Sequence, residues 1–421
     1  MSNCPFEDLK ARGFVYQSTD EEALKKALAA GPVTYYVGFD PTGSSLHVGH
    51  LLPVMAMRRL QKAGHRPIAL VGGATGLIGD PSGKREARPI ITKEQVAYNV
   101  QCIAEQLKRF LPEDNVIMEN NYNWLGDMLY LDFLRDVGSK FSVNRMLAAE
   151  SVKMRMETGI SFLEFSYMLL QSYDFVVLNK KYGCVLEMGG QDQWGNIVAG
   201  VELARKMNQA EVHGITMPLL INSATGEKFG KSAGGAVWLD KNRTSVFDYY
   251  QFWRNTNDAD VQRLMGYFTG LPMDEIAAIC AANINRAKEV LAYEATALAH
   301  GHEEAIKAFL SAGTKFGFAD KDCTIPTTSR IKEAASSGLS ADLPTVELEL
   351  PAEGIWIVKL FADAGLCKSN GDARRLIQGG GASLNDEKVT DMNKVVTAED
   401  LKDGAVVLKA GKKNLKRVVF K

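Results

Sequence analysis

The 421-residue sequence is poor in cysteine and histidine, with six of each, and its formal net charge is −1. The cysteines are widely scattered and form no Cys-x-x-Cys pair, which argues against a disulfide framework or a zinc site. A near-neutral chain has no overall field that indicates nucleic-acid binding, so any basic surface must be local. No apolar run is long enough for a membrane span, and the N-terminus lacks a signal-peptide pattern. We therefore expect a cytoplasmic protein without membrane association.

The length allows two or three domains. Up to residue 235 apolar strands alternate with amphipathic helices, which predicts an α/β domain with a parallel sheet. The expected strands are 33–39, 66–73 and 214–222, and the expected helices are 50–63, 94–110, 127–137 and 162–176. Residues 236–322 predict an α-helical domain with helices at 246–256, 258–267, 273–283 and 286–311. Residues 323–350 predict a linker, and residues 351–421 a small α+β domain.

The stretch GFDPTGSSLHVGHLLP (38–53) places His47 and His50 between a strand and a helix, with Gly49 between them. The N-terminus of a helix after a parallel strand binds anions, because its free amides and its dipole point outward. Gly49 lacks a side chain, so a flat ring can lie against the backbone there. This pattern predicts a nucleotide site. A helix cap and a metal-binding pair are the alternatives, although no third ligand stands at a suitable spacing.

A polar stripe runs along the apolar stretch EFSYMLLQSYDF. Tyr167, Gln171 and Asp174 stand at i, i+4 and i+7, on one face of a predicted buried helix. Buried polar groups must be hydrogen-bonded or line a cavity, so the stripe indicates either a binding pocket or an internal polar network. The glycine-rich stretch GGATGLIGDPSGKREAR (72–88) matches neither the P-loop nor the G-x-G-x-x-G spacing.

Two signatures together resemble those of class I aminoacyl-tRNA synthetases: HVGH (47–50) and KFGKS (228–232). The stretches YVGFDPT, TGLIGDPSGK, EFSYMLLQSYDF, GGQDQWGN and KFGKS extend the resemblance to bacterial tyrosyl-tRNA synthetases over nearly the whole chain. The resemblance implies a Rossmann-like catalytic domain at 1–235 and an inserted dimer-forming segment at about 90–200. It also implies an anticodon-side helical domain and a homodimer.

The same resemblance implies the reaction. L-Tyrosine would be activated with ATP, accompanied by Mg²⁺, and then transferred to the 3′ end of tRNA(Tyr). No covalent enzyme nucleophile is needed, because such chemistry depends on positioning and charge stabilisation. We expect no metal held by protein ligands alone, since Mg²⁺ is bound largely by the phosphates of ATP.

The resemblance also assigns the amino-acid site to six residues: Tyr36, Asp80, Tyr167, Gln171, Asp174 and Gln193. Tyr36 and Asp174 would bind the phenol hydroxyl, while Asp80, Tyr167 and Gln171 would contact the ammonium group. Phenylalanine would leave Tyr36 and Asp174 buried and unpaired, which is costly, and tyrosyl enzymes are the known example of this discrimination. Taken alone, Tyr36 is also compatible with an ordinary core aromatic.

For ATP, the implied binding residues are Gly38, Asp40, His47, Gly49, His50, Asp192, Lys228, Lys231 and Ser232. The residues that would act on the departing phosphates are Thr42, His47, Lys84, Arg88, Lys228 and Lys231. His50, which is also expected to take part in catalysis, would frame the nucleoside with Gly49. Lysines on a mobile loop can neutralise the charge that develops as pyrophosphate leaves. For Lys84 and Arg88, a solvated surface is the alternative interpretation.

The sequence departs from the usual bacterial pattern at four positions. Glu187 and Gln191 stand where Gln and Ser are frequent, Val37 stands where a ribose-contacting Cys is frequent, and Pro53 replaces a Thr of some members. None of these changes removes a reacting group.

Residues 351–421 carry 13 Lys and Arg against 9 Asp and Glu. The stretch KSNGDARRLIQGGGASLNDEKVTD resembles the S4 RNA-binding domain. The implied RNA contacts are Arg374, Arg375, Lys412, Lys413, Lys416 and Arg417, although a basic tail is more often a solvated surface. Contacts to phosphates supply affinity and register rather than sequence readout.

Three alternatives remain. A tryptophanyl enzyme of the same subclass is disfavoured by Tyr36 with Asp174, and by the S4-like tail. A small adenylyltransferase would not need KFGKS or that tail. A catalytically silent RNA-binding paralogue is disfavoured because both signatures are retained.

Overall fold

The computed structural model describes residues 4–83, 91–111, 114–232, 235–336, 345–385, 387–402, 404–411 and 414–420. The chain folds into two compact units, Met1–Ser245 with Asn255–Cys280, and Val246–Arg254 with Ala281–Lys421. These units do not coincide with the domain boundaries expected from the sequence, which remain predictions.

A six-stranded sheet forms the centre of the first unit, in the order β1-β6-β5-β2-β3-β4. All neighbours pair in parallel except β1, which is antiparallel to β6. The strand order reverses between β2 and β5, and such a switch point opens a crevice at the carboxyl ends of the strands, where α/β proteins bind ligands. The strands are β1 (Gln17–Ser18), β2 (Thr34–Phe39), β3 (Arg66–Val71), β4 (Ile117–Asn120), β5 (Cys184–Gly190) and β6 (His213–Met217).

Helices cover this Rossmann-like sheet, as the alternating pattern of the sequence predicts. The helix α10 shows how local sequence sets its ends. Ser161 and Glu164 form a capping box at its start, and Gly183 ends it in the left-handed conformation. The helices are α1 (Pro5–Ala11), α2 (Glu21–Ala30), α3 (Leu51–Lys62), α4 (Thr75–Ile78), α5 (Lys93–Phe110), α6 (Tyr122–Leu125), α7 (Tyr130–Asp136), α8 (Val143–Ala148), α9 (Glu150–Met156), α10 (Phe162–Tyr182) and α11 (Trp194–Asn208).

The remainder of the first unit comprises a small hairpin and two further helices. The hairpin pairs β7 (Lys231–Ser232) with β8 (Gly235–Ala236). The helix α13 (Asp258–Phe268) packs against α3, and α14 (Met273–Ala282) follows it along the chain. The guanidinium of Arg12 donates to the carbonyl oxygens of Gly266 and Leu271 at 3.3 and 3.0 Å and so ties this part of the chain to the N-terminus.

The second unit contains a helical part and a small α+β part. In the helical part α12 (Val246–Arg254), α15 (Ile284–His300) and α16 (His302–Phe316) pack on one another. In the α+β part, a sheet of order β12-β11-β14-β15-β9 and a two-stranded sheet of β10 with β13 pack with two helices around one apolar core. The elements are β9 (Thr345–Leu348), β10 (Ile355–Trp356), α17 (Ile357–Asp363), α18 (Asn370–Gln378), β11 (Ala382–Leu384), β12 (Glu387–Lys388), β13 (Val395–Val396), β14 (Ala405–Ala410) and β15 (Asn414–Phe420).

Several expected elements are wrong in extent. The strand expected at 214–222 ends at Met217, because Pro218 has no amide hydrogen to donate to the sheet. The single helix expected at 286–311 is two helices, separated at Gly301 with a φ of 94°. The helix expected at 162–176 continues to Tyr182, and the one at 127–137 is shortened to Tyr130–Asp136.

The described residues add two findings about the chain as a whole. All six cysteines are free thiols. Within the described ranges, no helix has the length and apolar character that crossing a bilayer requires.

Candidate active site

Several of the predicted site residues lie on or directly after β2 and β5, the two strands on either side of the switch point of the sheet. Tyr36 on β2 lies opposite Glu187 on β5 in the parallel ladder. The polar stripe of α10 packs over these strands, with Tyr167 and Asp174 both buried. The structure therefore brings the stripe and the strand tyrosine together in one place.

Asp174 is held by two donors that the sequence analysis did not single out. The indole Nε1 of Trp124 donates to Asp174 Oδ1 at 2.8 Å, and the Asn121 amide donates to Oδ2 at 3.0 Å. Burial raises the pKa of Asp174 to about 8, although these two hydrogen bonds act in the opposite direction. Asn121 follows directly after β4, a strand that was not expected from the sequence, so its place at the carboxyl end of a parallel strand could not be recognised in advance.

The hydroxyl of Tyr36 is buried and has no hydrogen-bond partner among the described residues. Its ring packs edge-to-face against Phe175, with the ring centroids 5.3 Å apart. Burial, reinforced by the nearby charges of Glu187 and Asp174, raises the pKa of Tyr36 well above its ordinary value. A buried hydroxyl without a partner is costly unless a ligand supplies one.

A second cluster joins α10 to the loops after β2 and β3. The Tyr167 hydroxyl donates to Asp40 Oδ2 at 2.9 Å, and the Thr75 hydroxyl donates to Asp40 Oδ1 at 2.7 Å. A Cβ atom on Gly72 would lie 2.3 Å from Asp40 Oδ1, so the glycine is required for this close approach. Asp40, predicted for ATP, is therefore also bonded to a residue predicted for the amino acid.

Asp80, Gln171 and Gln193 form one hydrogen-bonded line through Asn196. The Gln193 amide donates to Asp80 Oδ2 at 2.7 Å, and the Asn196 amide donates to the side-chain oxygens of Gln171 and Gln193 at 3.0 and 3.2 Å. Asn196 is buried within the stretch GGQDQWGN, and the residue pattern did not single it out. Its place in this line depends on the packing of that stretch against α10, which brings Asn196 to Gln171.

His47 and His50 pack against each other in a compact group, which we call the histidine corner. The amide of Gly49 donates to His47 Nδ1 at 3.0 Å, the amide of His47 donates to His50 Nδ1 at 3.1 Å, and the ring centroids are 3.9 Å apart. Because both Nδ1 atoms accept, the neutral form of each ring carries its proton on Nε2. A Cβ on Gly49 would lie 2.8 Å from His47 Cε1, so the ring that lies against this glycine is that of His47.

The second signature touches the first. Gly230 has a φ of 94°, and a Cβ there would lie 3.1 Å from the amide nitrogen of Gly49. The amide of Val237 donates to the Gly230 carbonyl, and the amide of Val48 donates to the Val237 carbonyl, both at 2.9 Å. Lys228 is exposed, and the backbone of Lys231 and Ser232 forms β7. Lys84 and Arg88 lie outside the described residues.

The other predicted nucleotide residues are open to solvent. Gly38, Thr42 and Asp192 are exposed. A Cβ on Gly83 or Gly190 would lie 3.0 or 2.7 Å from a carboxylate oxygen of Asp192, so both glycines leave room for it. Asp192 and Lys228 line a cavity of about 1320 Å³ that extends past Trp194 to Arg145 and Met146. The buried residues of the predicted amino-acid pocket, which are Tyr36, Asp80, Tyr167 and Asp174, do not line this cavity.

The predicted RNA-binding residues are distributed over the C-terminal α+β part. Arg374 and Arg375 lie on α18, where Arg375 pairs with Asp372 and the Arg374 guanidinium lies 5.1 Å from the centre of the Trp356 ring. Lys416 donates to the Ala364 carbonyl at 2.6 Å, and Arg417 belongs to β15. Lys412 and Lys413 fall outside the described residues.

Comparison with known protein families gives two matches. Residues 28–316 match the model of "tRNA synthetases class I (W and Y)". Residues 336–418 match the model of the "Tyrosine--tRNA ligase SYY-like C-terminal domain". The fold and the paired signatures are thus those of a class I aminoacyl-tRNA synthetase.

Individual relatives narrow this class. A tyrosine–tRNA ligase of Clostridium botulinum strain Hall is 47% identical over 100% of both chains, and one of Desulfatibacillum aliphaticivorans is 48% identical over 98% of both. A truncated mitochondrial tyrosyl-tRNA synthetase of Aspergillus nidulans superposes with a TM-score of 0.67 at 31% identity, covering 74% of this chain and 94% of its own. The chain belongs to the tyrosine–tRNA ligase family.

Proposed function

We propose that the buried pocket and the histidine corner carry out the two steps of a tyrosine–tRNA ligase. The enzyme activates L-tyrosine with ATP to tyrosyl-adenylate and pyrophosphate, and it then transfers tyrosine to the 3′ end of tRNA(Tyr), releasing AMP. The observation that carries this proposal is the buried, unpartnered Tyr36 hydroxyl in a pocket that also contains Asp174.

In the amino-acid pocket, Tyr36 and Asp174 bind the phenol hydroxyl of tyrosine. Asp174 is already positioned by Trp124 and Asn121, so it meets the substrate without reorganisation. Asp80, Tyr167 and Gln171 bind the ammonium group, and Gln193 places the carboxylate end. Tryptophan has no hydroxyl for Tyr36, so this pocket favours tyrosine over the substrate of the sister enzymes.

In the first step, a carboxylate oxygen of tyrosine attacks the α-phosphorus of ATP, and the bond to the bridging oxygen of pyrophosphate breaks. Gly38, Asp40, Gly49 and Asp192 hold the nucleoside. His47 donates from Nε2 to the departing phosphates, together with Thr42, Lys84, Arg88, Lys228, Lys231 and Ser232, while His50 frames the nucleoside with Gly49. In the second step, a ribose hydroxyl of the terminal adenosine of tRNA attacks the acyl carbon, and AMP leaves.

Magnesium accompanies ATP in this proposal. Among the described residues, no group of three or more His, Cys, Asp and Glu side chains is arranged to hold a metal. The ion would be bound chiefly by phosphate oxygens. The ion would supply charge neutralisation on the triphosphate, while the side chains of this chain position it through the nucleotide.

The partners follow from two surfaces. In the segment expected to form a homodimer, Leu129, Leu131 and Phe162 are 70%, 75% and 69% exposed, and large apolar side chains so exposed favour a second copy. Arg374 and Arg375, with the other basic residues of the C-terminal part, would contact tRNA phosphates.

The six free thiols are compatible with the reducing environment of the cytoplasm, where we expect the protein to act.

Amino-acid-dependent ATP–pyrophosphate exchange without tRNA tests the proposal, with tyrosine, tryptophan and phenylalanine offered separately. We expect exchange with tyrosine alone. Exchange with tryptophan would keep the mechanism and overturn the pocket. A folded sample that exchanges with none of the three would overturn the proposed activity.

A further inference from the structure

A carboxyl group lies buried beside the amino-acid pocket without a place in the mechanism above. Glu187 on β5 is 2% exposed, and its partner in the ladder is Tyr36 on β2. Charged side chains are rarely buried this completely unless they are paired, and no cation contributes to the pKa of this one. The environment of its two oxygens indicates what it does.

The first oxygen of Glu187 fixes the direction of an amide. The Gln171 Nε2 atom donates to Glu187 Oε1 at 2.9 Å. A carboxylate only accepts, so the nitrogen of the Gln171 amide must face Glu187, and its oxygen must face the Asn196 amide at 3.0 Å. Through Asn196 and Gln193 this orientation extends to Asp80. Glu187 is therefore the end of the hydrogen-bonded line in the pocket.

The second oxygen faces Tyr36. Glu187 Oε2 is buried without a hydrogen-bond partner among the described residues, as is the Tyr36 hydroxyl. No hydrogen bond of normal length and angle joins them, yet the two side chains are near enough for Glu187 to raise the pKa of Tyr36 and for Tyr36 to lower the pKa of Glu187. Space behind the carboxylate is limited, since a Cβ on Gly200 would lie 3.2 Å from Oε2. The carboxylate is thus confined between α11 and Tyr36.

We propose that Glu187 is a positioning residue of the amino-acid pocket, which holds the Gln171 amide in one orientation and competes with a bound phenol for the proton of the Tyr36 hydroxyl. A hydroxyl has one proton, so it can donate either to Glu187 or to the substrate oxygen. The inference rests on the proposed function, because it takes Tyr36 to face the phenol.

The competition depends on the charge of Glu187. The anion attracts the Tyr36 proton strongly, because hydrogen bonds to charged acceptors are the stronger ones. The neutral acid instead donates to the Tyr36 oxygen and leaves the Tyr36 proton for the substrate. Burial raises the pKa of Glu187 to about 7, so both forms exist near neutral pH.

The groups around Glu187 limit which other titrations can interfere. The titratable neighbours are Tyr36 on β2, Asp174 on α10 and Cys184 on the same strand. Gly200 on α11 and Gly214 on β6, which also face this residue, carry no charge. Asp174 titrates at about pH 8 and must be separated from Glu187 in any experiment.

The test is the KM for tyrosine in ATP–pyrophosphate exchange, measured from about pH 6 to about pH 8.5 in the unmodified enzyme and in Glu187→Gln. Glutamine can keep its oxygen toward Gln171 and its amide hydrogens toward Tyr36, as the neutral acid does. We expect the KM of the unmodified enzyme, divided by the KM of Glu187→Gln, to be near 1 at low pH and to rise about 3-fold to 10-fold above pH 7. The value of kcat should stay unchanged. Because the charge of Glu187 contributes to the raised pKa of Asp174, the Tyr36→Phe variant, which keeps both carboxyl groups, is needed to separate the two titrations.

Two further variants secure the result. In Tyr36→Phe, which keeps Glu187, the KM for tyrosine should no longer rise near pH 7, because the hydroxyl proton for which Glu187 and the substrate compete is absent. Glu119→Gln is the matched control, since Glu119 is a buried carboxylate of β4 that pairs with Lys181 and Tyr182, and it should leave the pH profile unchanged.

The role of Glu187 would be overturned if the KM ratio were constant with pH and the KM of Tyr36→Phe still rose near pH 7. The proposed function would then remain intact. The absence of tyrosine-dependent exchange in the unmodified enzyme would overturn both.

Discussion

The predicted amino-acid pocket and the histidine corner both belong to the first unit, but different kinds of contact hold them. The pocket consists of buried side chains that hydrogen-bond one another, as Asp174 does with Trp124 and Asn121. The corner consists of half-exposed rings held by backbone amides and by the close approach of Gly49 to Gly230. A desolvated pocket distinguishes substrates through the cost of unpaired groups, whereas an open corner of donors stabilises charge that develops during reaction.

The largest effect on activity is expected from a substitution that changes only the histidine corner. In His47→Ala, the loss of a phosphate donor should lower the rate of adenylation by about 100-fold to 1000-fold, because donors of this kind act on the transition state. The dissociation constant of tyrosine, measured by equilibrium dialysis, should stay near that of the unmodified enzyme. An equal loss of tyrosine binding in a folded variant would show that corner and pocket are not separate.

The next largest effect is expected from a substitution that changes only the amino-acid pocket. Tyr36→Phe should reduce the preference for tyrosine over phenylalanine by about 10-fold, because one donor to the phenol is lost while kcat for tyrosine is retained. The measurement is the ratio of kcat/KM for the two amino acids in pyrophosphate exchange.

The matched control is Tyr35→Phe, at the neighbouring position of β2. The Tyr35 hydroxyl donates to the Met57 carbonyl at 2.5 Å, away from the pocket. This variant should lose about 1 kcal/mol of unfolding free energy and leave the preference unchanged. If both tyrosine variants changed the preference equally, Tyr36 would have no special place in the pocket.

A backbone change sharpens the comparison. In Gly49→Ala, the added methyl group would lie 2.8 Å from the His47 ring, so the ring must move. We expect about a 10-fold fall in kcat with unchanged tyrosine binding, since a small misplacement of a catalytic group is costly. Gly43→Ala in the same loop meets nothing within 4 Å and should retain activity. A matching loss in Gly43→Ala would attribute the effect to the loop rather than to His47.

The smallest effect on activation is expected from a change outside both regions. An enzyme ending near residue 345 should keep the rate of pyrophosphate exchange and lose efficiency in charging tRNA, because basic residues that contact phosphates would be gone. Charging of the full chain should also weaken as salt rises. Unchanged charging by the shortened enzyme would remove the RNA-binding role from the C-terminal part.

Local patterns were sufficient for much of this molecule. The alternation of strands and helices predicted the parallel sheet, and the spacing of Tyr167, Gln171 and Asp174 predicted one face of α10. The predicted ends of strands and helices were less accurate where a single residue determined the end. Pro218 cut a strand short, and Gly301 divided a helix, although both residues are visible in the sequence.

The sequence by itself determined the family and the two signatures, because both depend on residue order and short spacing. Only the tertiary structure decided which buried groups have partners. The pairing of Trp124 with Asp174, the line from Glu187 to Asp80, and the contact of Gly49 with Gly230 all join residues far apart in the chain. Hydrogen bonds depend on distances of a few tenths of an ångström, and those distances are set by how the elements pack rather than by the residues that form them.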